Sequence, residues 1–325
     1  MSFLHLGVSQ SLLKDFQACK QKALWKLQGW KGREADWSMY FGTLFHDVME
    51  AFFGSLLRKE EFDLGAALDR AKQKAYANPN YNTTTTYTIE HYLFLLKVLA
   101  EAYLKKYQEK DTKRKWLVVE EPFCVSTSVL PLSLPATLDF RGKPDAVAEE
   151  RDGLWLYDHK TKSYVDLEEI GTWLPFDLQM HAYVRALETK LSRKFAGFVY
   201  DVVTLPGLKQ KWGESLDTYR ARVALDVEQN PDLYFSRLHV KIRPAVKEQV
   251  DREFEELLLE YVEWNSHLRP TKNKQACFYY GKKCPYYEAC FGNSFSQLHR
   301  GPVFEELVDA NSSTNGTVQA KDQAK

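Results

Sequence analysis

Two aspartates and a lysine lie close together between residues 138 and 162, in the segment LDFRGKPDAVAEERDGLWLYDHKTK. Two runs with strand character flank the dipeptide formed by Asp152 and Gly153, and Asp-Gly in that position is a strong signal of a β-hairpin. With these two residues as the loop, counting outward along the strands puts Asp145 directly opposite Lys160. The pattern therefore predicts a hairpin that carries charged side chains near its open end.

Asp158 completes a set of three side chains on one face of this hairpin. Because side chains alternate between the faces of a strand, Asp145, Asp158 and Lys160 project from the same side, and the two aspartates are diagonal neighbours about 7 Å apart. Carboxylate oxygens suit a hard divalent cation such as Mg²⁺ or Mn²⁺, and a lysine beside them can stabilise charge on a phosphate or orient a water. A solvated hairpin face is the alternative. An apolar run that carries charge only at its end favours a buried strand leading to a cleft.

Four short motifs follow one another along the chain. They are Gly42-Thr-Leu-Phe-His46, Gly142-Lys-Pro-Asp145, Tyr157-Asp-His-Lys-Thr161 and Gln179-Met-His-Ala-Tyr183. In this order they resemble the motifs of the P-D-(D/E)-x-K nuclease superfamily, in its RecB-like branch, including the G-x-x-x-H and Q-x-x-x-Y elements. The resemblance implies an α/β fold of the restriction-endonuclease-like kind, in which helices flank a central mixed β-sheet. It also implies metal-dependent hydrolysis of DNA phosphodiester bonds.

The resemblance implies roles for individual residues. His46, Asp145 and Asp158, joined by the backbone carbonyl of His159, would hold Mg²⁺ or Mn²⁺, and Lys160 would position the attacking water. A single histidine on a helix is ordinarily structural, so the ligand role of His46 depends on the order of the motifs.

Gln179 and Tyr183 are four residues apart in a predicted helix and therefore lie on one face of it. A surface glutamine beside a core tyrosine is the alternative reading of this pair. The resemblance implies that both residues lie beside the active site and help to position the substrate or the catalytic lysine. We therefore count them, with the two aspartates and the lysine, as candidate catalytic residues.

Five cysteines, an odd number, favour metal or cluster ligation over a disulfide framework in a reducing compartment. Cys277, Cys284 and Cys290 lie in one short aromatic-rich segment, which suits a cluster that needs a fourth ligand. In RecB-like nucleases of the AddB and CRISPR-associated kinds, three C-terminal cysteines and one near the N-terminus hold a 4Fe-4S cluster, and Cys19 resembles that remote ligand. The spacing from Cys277 to Cys284 is longer than in some members, and zinc held by four thiolates is the alternative. Cys124 is predicted to be a buried free thiol.

Apolar spacing predicts the elements that would carry these side chains. The predicted helices are 9–27, 42–57, 64–76, 91–110, 176–190 and 246–268, with a loop at 78–86. The predicted strands are 116–125 and 196–204 in addition to the hairpin. Glu120, on the first of these strands, could approach the metal, although a glutamate on an edge strand is more often solvated.

The chain has 325 residues, of which 44% are hydrophobic and 14% aromatic, so it can bury a large core. We predict one nuclease domain over residues 1–308, with a helical insert at 57–115. A cluster-binding segment at 270–295 would be clamped to Cys19. Residues 309–325 lack aromatic residues and nearly all large apolar ones, so they are predicted to form a disordered tail.

The net charge is zero, so the composition shows no global basic field that would attract nucleic acid. Basic runs at 113–115, 190–194, 209–211 and 272–283 have aromatic residues near several of them. Such runs are more often plain solvated surface, and they matter here because a phosphate-directed site is predicted independently.

Neither a signal sequence nor a membrane-spanning run is evident, so we expect a cytoplasmic protein without a membrane partner. The sequence contains no G-x4-G-K-[ST] motif. Any ATP-driven unwinding would therefore come from another protein, such as a helicase.

The predicted function is hydrolysis of DNA from its ends, preferably single-stranded or tailed ends, in recombination, repair, phage DNA processing or CRISPR adaptation. The insert at 57–115 is large enough to roof a channel that admits only DNA ends, and aromatic and basic side chains near Trp116 and Tyr234 would track the backbone. One alternative is a nuclease-like subunit that binds DNA ends for a helicase or integration complex without cutting. Retention of both aspartates and the lysine speaks against it. A structure-specific endonuclease is the other alternative.

Overall fold

A computed structural model describes residues 2–32, 37–77, 86–130, 132–279 and 282–304 of the chain. The tail predicted at 309–325, and all but the last residue of a loop expected at 78–86, lie outside these ranges. The helices of the described part are α1 (Gln10–Ala18), α2 (Lys20–Leu27), α3 (Trp37–Arg58), α4 (Leu64–Tyr76), α5 (Thr86–Asp111), α6 (Leu167–Trp173), α7 (Leu178–Leu191), α8 (Leu216–Gln229), α9 (Pro231–Tyr234), α10 (Pro244–His267) and α11 (Tyr287–Phe291).

Five strands form a central sheet. The strands of the described part are β1 (Val8–Ser9), β2 (Trp30–Gly32), β3 (Lys115–Val119), β4 (Phe123–Ser126), β5 (Asp139–Gly142), β6 (Ala146–Glu150), β7 (Gly153–Lys162), β8 (Phe195–Thr204), β9 (Phe235–Lys241), β10 (Phe278–Tyr279), β11 (Lys282–Lys283) and β12 (Leu298–Arg300). The central sheet has the order β3-β6-β7-β8-β9. Its β7 and β8 run parallel and its other neighbours antiparallel, so the sheet is mixed, as predicted.

Helices cover both faces of the central sheet because buried side chains alternate along its strands. On β7, Leu154 and Leu156 pack in a core shared with α1, α7 and α10. Trp155 and Tyr157 pack in a second core with α3, α4, α5 and α8. α4 and α5 belong to the predicted insert at 57–115, and they form part of this second helical layer. The prediction of an α/β fold with a helix-flanked mixed sheet is confirmed.

β6 and β7 form the predicted hairpin, but its turn lies one residue earlier than predicted. Glu150 pairs with Gly153, so the loop consists of Arg151 and Asp152. Gly153 itself begins β7 with a φ of 139°, a conformation that L side chains rarely adopt. The glycine therefore serves as the first strand residue and not as the second loop residue.

The earlier turn changes which residues face each other across the hairpin. Ala146 pairs with Tyr157. One residue further along each strand, Asp145 comes opposite Asp158 and not opposite Lys160 as predicted. The shift amounts to two residues, an even number, so side chains that were predicted to share a face still share it.

The strand predicted at 116–125 is divided into β3 and β4, which belong to different sheets. β3 is an edge of the central sheet, whereas β4 pairs with β5 in a separate three-stranded sheet. The division follows from Glu120, which has a φ of 48° and whose N–H donates to the carbonyl of Asp145 at 3.0 Å. Glu120, Glu121 and Pro122 interrupt the apolar run at this bend, a signal that the prediction of one continuous strand overlooked.

Cys19 interrupts the helix predicted at 9–27 and separates α1 from α2. Its backbone is extended, with a φ of −165° and a ψ of 112°. The Sγ of Cys19 accepts a hydrogen bond from the backbone N–H of Asn273 at 3.4 Å. Nearby, β2 pairs antiparallel with β12. Segments from the two ends of the described chain are therefore in direct contact.

Candidate active site

The open ends of β6 and β7 bring acidic side chains from neighbouring strands together. Asp145 precedes β6, and its Oδ2 accepts a hydrogen bond from the backbone N–H of His159 at 2.5 Å. On β7, the Lys160 ammonium donates to Oδ1 of Asp158 at 2.6 Å. Asp158 is buried and Lys160 half-buried. The two aspartates therefore occupy adjacent strand ends, and one of them is paired with the lysine.

His46 reaches this strand end from α3. Its Nδ1 lies 3.7 Å from Oδ1 of Asp145 and 3.7 Å from Oε1 of Glu120. Ligand atoms from these three residues all lie within 4.8 Å of one another, and no other group of three or more His, Cys, Asp or Glu residues in the described ranges meets that spacing. An imidazole nitrogen and carboxylate oxygens so placed can bind one metal ion.

Glu120 and Lys143 join the site through a buried ion pair. The side chain of Glu120 is 6% exposed and its Oε2 pairs with the ammonium of Lys143. Burial acts to raise the pKa of Glu120, but His46 and Lys143 outweigh this effect and hold the pKa below its ordinary value. The sequence pointed only weakly to Glu120 and did not single out Lys143. The signal for Lys143 was its place in the motif, two residues before Asp145.

Burial and crowding shift the protonation equilibria of the site. Burial raises the pKa of Asp158, and the neighbouring Asp145 raises it further against the opposing charge of Lys160. Burial acts to lower the pKa of Lys160, but the two aspartates outweigh it and the pKa is raised. His46 behaves similarly, because Asp145 and Glu120 outweigh the effect of its burial and raise its pKa. The carboxylates of the site therefore favour the protonated forms of the two basic side chains beside them.

α7 presents the predicted glutamine and tyrosine to the same site. Nε2 of Gln179 lies 3.5 Å from Oδ1 of Asp158. The ring of Tyr183 packs edge-on against Phe123, with centroids 5.3 Å apart, and its hydroxyl interacts with the backbone of Lys143. Gln179 therefore contacts an acidic residue of the site directly. Tyr183 contacts the loop between β5 and β6 that carries the motif.

The described geometry agrees with a comparison against protein families, in which residues 7–291 match the PD-(D/E)XK nuclease superfamily. The chain belongs to this superfamily. The solved structure of a candidate exonuclease from Eubacterium rectale has a similar fold, with a TM-score of 0.50 and 13% identity over 90% of this chain and 89% of that chain. A second solved structure, of the protein SSO0001, gives a TM-score of 0.29 and 12% identity over 67% of this chain and 77% of that one. No curated protein matches the sequence.

The side chain of His159 in this PD-(D/E)XK protein points away from Asp158, to the opposite face of β7. Its Nδ1 lies 3.1 Å from Oδ2 of Asp201, and its ring stacks on Phe53 with centroids 4.9 Å apart. Asp201 is wholly buried and also accepts a hydrogen bond from Arg237 at 3.1 Å. The backbone of His159 is thus the part that adjoins the acidic residues. Metal binding by its carbonyl stays a prediction.

All four cysteines that were predicted to bind a cluster line one small cavity. They are Cys19, Cys277, Cys284 and Cys290. Tyr286, Tyr287 and Phe291 line the same cavity and give it an apolar wall. The ring N–H of Trp25 donates to Sγ of Cys290 at 3.3 Å. The structure therefore brings the N-terminal cysteine to the three C-terminal ones across more than 250 residues of sequence.

The spacing of these sulfur atoms bears on what they could hold. Among the described residues, no three of the four sulfur atoms lie within 4.8 Å of one another. A zinc ion binds thiolates at about 2.3 Å, so two sulfurs on one ion lie no more than about 4.6 Å apart. Burial raises the pKa of Cys277, and the nearby Cys19 and Cys290 add to the effect. The four thiols therefore share one cavity, and either a zinc ion or a cluster stays a prediction for it.

The prediction of a buried thiol at Cys124 is wrong. Cys124 is exposed, because β4 buries its neighbours Phe123 and Val125 and turns Cys124 outward. Trp116 and Tyr234 are themselves buried, so any contact with a DNA backbone in these regions would come from other side chains near them.

No helix of the described ranges has both the length and the apolar character needed to cross a bilayer.

Two of the basic runs are largely neutralised by neighbouring carboxylates. The ion pairs are Lys113–Glu109, Arg114–Asp111, Lys115–Glu149, Lys190–Glu121, Arg193–Glu149 and Lys194–Glu188. The runs at 113–115 and 190–194 are therefore solvated, paired surface, and they offer little charge to a phosphate backbone.

Proposed function

We propose that this protein is a deoxyribonuclease that depends on Mg²⁺ or Mn²⁺ and hydrolyses DNA from its ends. The observation that supports it is the convergence of His46, Glu120 and Asp145 within 4.8 Å of one another beside the ion pair of Asp158 and Lys160. This constellation lies in a chain of the PD-(D/E)XK superfamily.

The residues at this site fit a hard divalent cation. Carboxylate oxygens are the ligands such cations prefer, and the raised pKa of Asp158 reflects burial and repulsion from Asp145 that a bound cation would relieve. His46, Asp145, Asp158 and the carbonyl of His159 would hold Mg²⁺ or Mn²⁺. When bound, such an ion supplies a Lewis acid that lowers the pKa of a coordinated water.

The remaining residues of the site would position the reactants. Lys160 keeps its positive charge, because its pKa is raised by the two aspartates, and it would orient the attacking water and stabilise charge on the phosphate. Gln179 would fix the carboxylate of Asp158, which it contacts at 3.5 Å. Tyr183 would hold the loop between β5 and β6 through its interaction with Lys143.

One observation favours action at DNA ends. The structure from Eubacterium rectale with a similar fold is that of a candidate exonuclease. α4 and α5 pack with α3 on the face of the central sheet opposite to Asp158 and Lys160, so the insert does not roof these two side chains as predicted. We infer that DNA enters the site from a terminus, preferably a single-stranded or tailed one. The setting would be recombination, repair, phage DNA processing or CRISPR adaptation, together with a helicase or integration partner.

We also propose that the four cysteines at the cavity hold a 4Fe-4S cluster. The site fits, because four thiols from both ends of the chain line one cavity and share an apolar wall; zinc held by the same thiolates is the alternative. Hydrolysis transfers no electrons, so the cluster would be structural.

One experiment tests the nuclease proposal. Purified protein is incubated with Mn²⁺ and end-labelled linear single-stranded DNA, and in parallel with a covalently closed single-stranded circle of the same sequence. We expect short products from the linear strand, an intact circle, and no cleavage by Asp158→Ala or Lys160→Ala with folding unchanged. Binding without cleavage by the wild type would identify a DNA-end-binding protein. Equal initial rates on circle and linear strand would identify an endonuclease, and activity of either variant within a few-fold of wild type would show that the centre is wrongly assigned.

A further inference from the structure

The connection between β7 and α7, residues 163–177, exposes an unusual amount of apolar surface. Four large apolar side chains project from it: Tyr164 is 76% exposed, Leu167 43%, Trp173 37% and Phe176 43%. Both elements that this connection joins carry residues of the candidate active site. Three of the four exposed side chains are aromatic, which makes this segment suited to stacking on a flat ligand.

A chain of contacts links one of these rings, that of Trp173, to the active site. Trp173 packs edge-on against Tyr200, with centroids 5.9 Å apart and an interplanar angle of 85°. Tyr200 lies on β8 beside Asp158 in the strand register. The electrostatic influence of Lys160 and Asp158 on the pKa of Tyr200 also places them close together. Trp173 is therefore separated from the candidate catalytic lysine by a single side chain, that of Tyr200.

Lys162, beside Tyr200, and Lys14, close to Lys162, carry charge that no carboxylate of the described residues neutralises directly. The ammonium of Lys162 lies 6.0 Å from the centre of the Tyr200 ring. Burial lowers the pKa of Lys162, and the nearby positive charges of Lys160 and Lys14 lower it further, against weaker opposing effects of Asp158 and Glu169. Neither Lys14 nor Lys162 has a carboxylate within ion-pair distance among the described residues, in contrast to the paired basic runs at 113–115 and 190–194.

We propose that Tyr164, Trp173 and Phe176 form a stacking surface for the unpaired bases of a single-stranded DNA end, and that Lys14 and Lys162 contact its phosphates. This inference rests on the proposed hydrolysis of DNA, and it names the form of DNA that the site takes. Unpaired bases present their faces to aromatic rings, whereas the bases of a duplex are already stacked on each other. The adjoining unpaired lysines and phosphodiester-directed site favour a nucleic acid over an apolar protein partner.

The proposal is tested by binding measured without cleavage. Fluorescence anisotropy in EDTA compares a short labelled oligothymidylate with a blunt-ended DNA hairpin whose loop is closed by a non-nucleotide linker. We expect Trp173→Ala and Phe176→Ala each to raise the Kd for oligothymidylate about fivefold or more, as loss of a stacked base implies, with little change for the hairpin. Trp173→Phe keeps an aromatic ring and should retain most of the affinity.

Leu233 provides the control. It is 69% exposed and lies on α9, whose Tyr234 packs with α5 and α8 on the other face of the central sheet, so Leu233→Ala should leave both Kd values unchanged. Unchanged oligothymidylate binding by Trp173→Ala and Phe176→Ala, or equal losses for oligothymidylate and hairpin, would overturn the proposal. Because EDTA removes divalent metal, this binding measurement is independent of hydrolysis. If binding depended on Trp173 in a protein that never cleaves DNA, the nuclease proposal would be refuted and the stacking-surface proposal would stand.

Discussion

Glu120 reaches the candidate metal site because the chain bends at that residue. Its φ of 48° ends β3 and turns the carboxylate toward His46 and Asp145. Glu120→Gln keeps the shape of the side chain and removes its charge. We expect the Mn²⁺ concentration for half-maximal cleavage, and the Mn²⁺ dissociation constant measured by electron paramagnetic resonance, to rise about tenfold, as loss of a residue that supports a metal site commonly causes.

The neighbouring glutamate supplies the control for this substitution. Glu121 pairs with Lys190 at the surface and is exposed, so Glu121→Gln should bind Mn²⁺ as the wild type does. If Glu120→Gln also bound Mn²⁺ as tightly as the wild type, Glu120 would have no part in the metal site.

At the level of single residues, the sequence identified side chains whose types and spacing form contiguous motifs. His46, Asp145, Asp158 and Gln179 were predicted in this way, and the structure brings them to one strand end. The contribution of Glu120 depends on its backbone angle; the Glu-Glu-Pro sequence indicates a break in the strand there but not that the carboxylate turns toward His46.

At the level of elements, the sequence pattern predicted the hairpin and the shared face of its charged residues but not its register. Its existence and the shared face of its charged residues follow from strand alternation, which any even shift in register preserves. The register itself depends on whether Gly153 sits in the loop or begins the strand. In the structure Gly153 has a φ of 139° and begins the strand. The Asp-Gly sequence alone is compatible with either position.

A buried charge network fixes β7, β8 and β9 to α5 on the face away from the acidic site. Asp201 accepts hydrogen bonds from Arg237 and from His159, each at 3.1 Å, and also interacts with Tyr103. Burial alone would raise the pKa of Asp201, but Arg237 and His159 outweigh it and lower the pKa to about 2 from an ordinary value of 3.8. Asp201 therefore stabilises the fold above about pH 4, and this stabilisation is lost as the pH falls toward 2.

Asp201→Asn removes the titrating carboxyl group, so comparing the pH dependence of stability of this variant with that of the wild type isolates the contribution of Asp201. Urea unfolding at several pH values should give a free energy of unfolding lower for Asp201→Asn than for the wild type at pH 7. The difference in free energy of unfolding between the wild type and Asp201→Asn should decrease by about 2 kcal/mol as the pH falls from 5 to 2. A gap that stayed constant over this range would mean that Asp201 is not held ionised by its neighbours.

At the level of the whole molecule, the α/β architecture was predictable because apolar periodicity dictates which faces are buried. The break in the predicted helix 9–27 was not predictable, because it serves a distant contact. Cys19 ends α1 where its sulfur meets Asn273, and such a contact between residues 254 positions apart in the chain carries no local signal.

The contact between the chain ends is also where a cluster would stabilise the molecule. Anaerobically purified protein should be brown and contain about four iron atoms per chain, as a cubane held by four thiolates requires. Cys284→Ser should remove the colour and the iron and lower the melting temperature. A crosslink that closes a loop of this length contributes at most about 5 kcal/mol, and the pairing of β2 with β12 already restrains the same ends. We therefore expect a loss of several degrees and not complete unfolding.

Cys124 separates the effect of the cluster from that of losing any thiol. It is exposed on β4 and does not line the cysteine cavity, so Cys124→Ser should keep the colour, the iron content and the melting temperature of the wild type. Metal analysis distinguishes the two candidate occupants directly. If the protein is colourless, contains one zinc per chain and shows the same fall in melting temperature in Cys284→Ser, the occupant of the cysteine site is zinc and not a cluster. This result would leave the assignment of the acidic site unchanged, because the two sites share no residue.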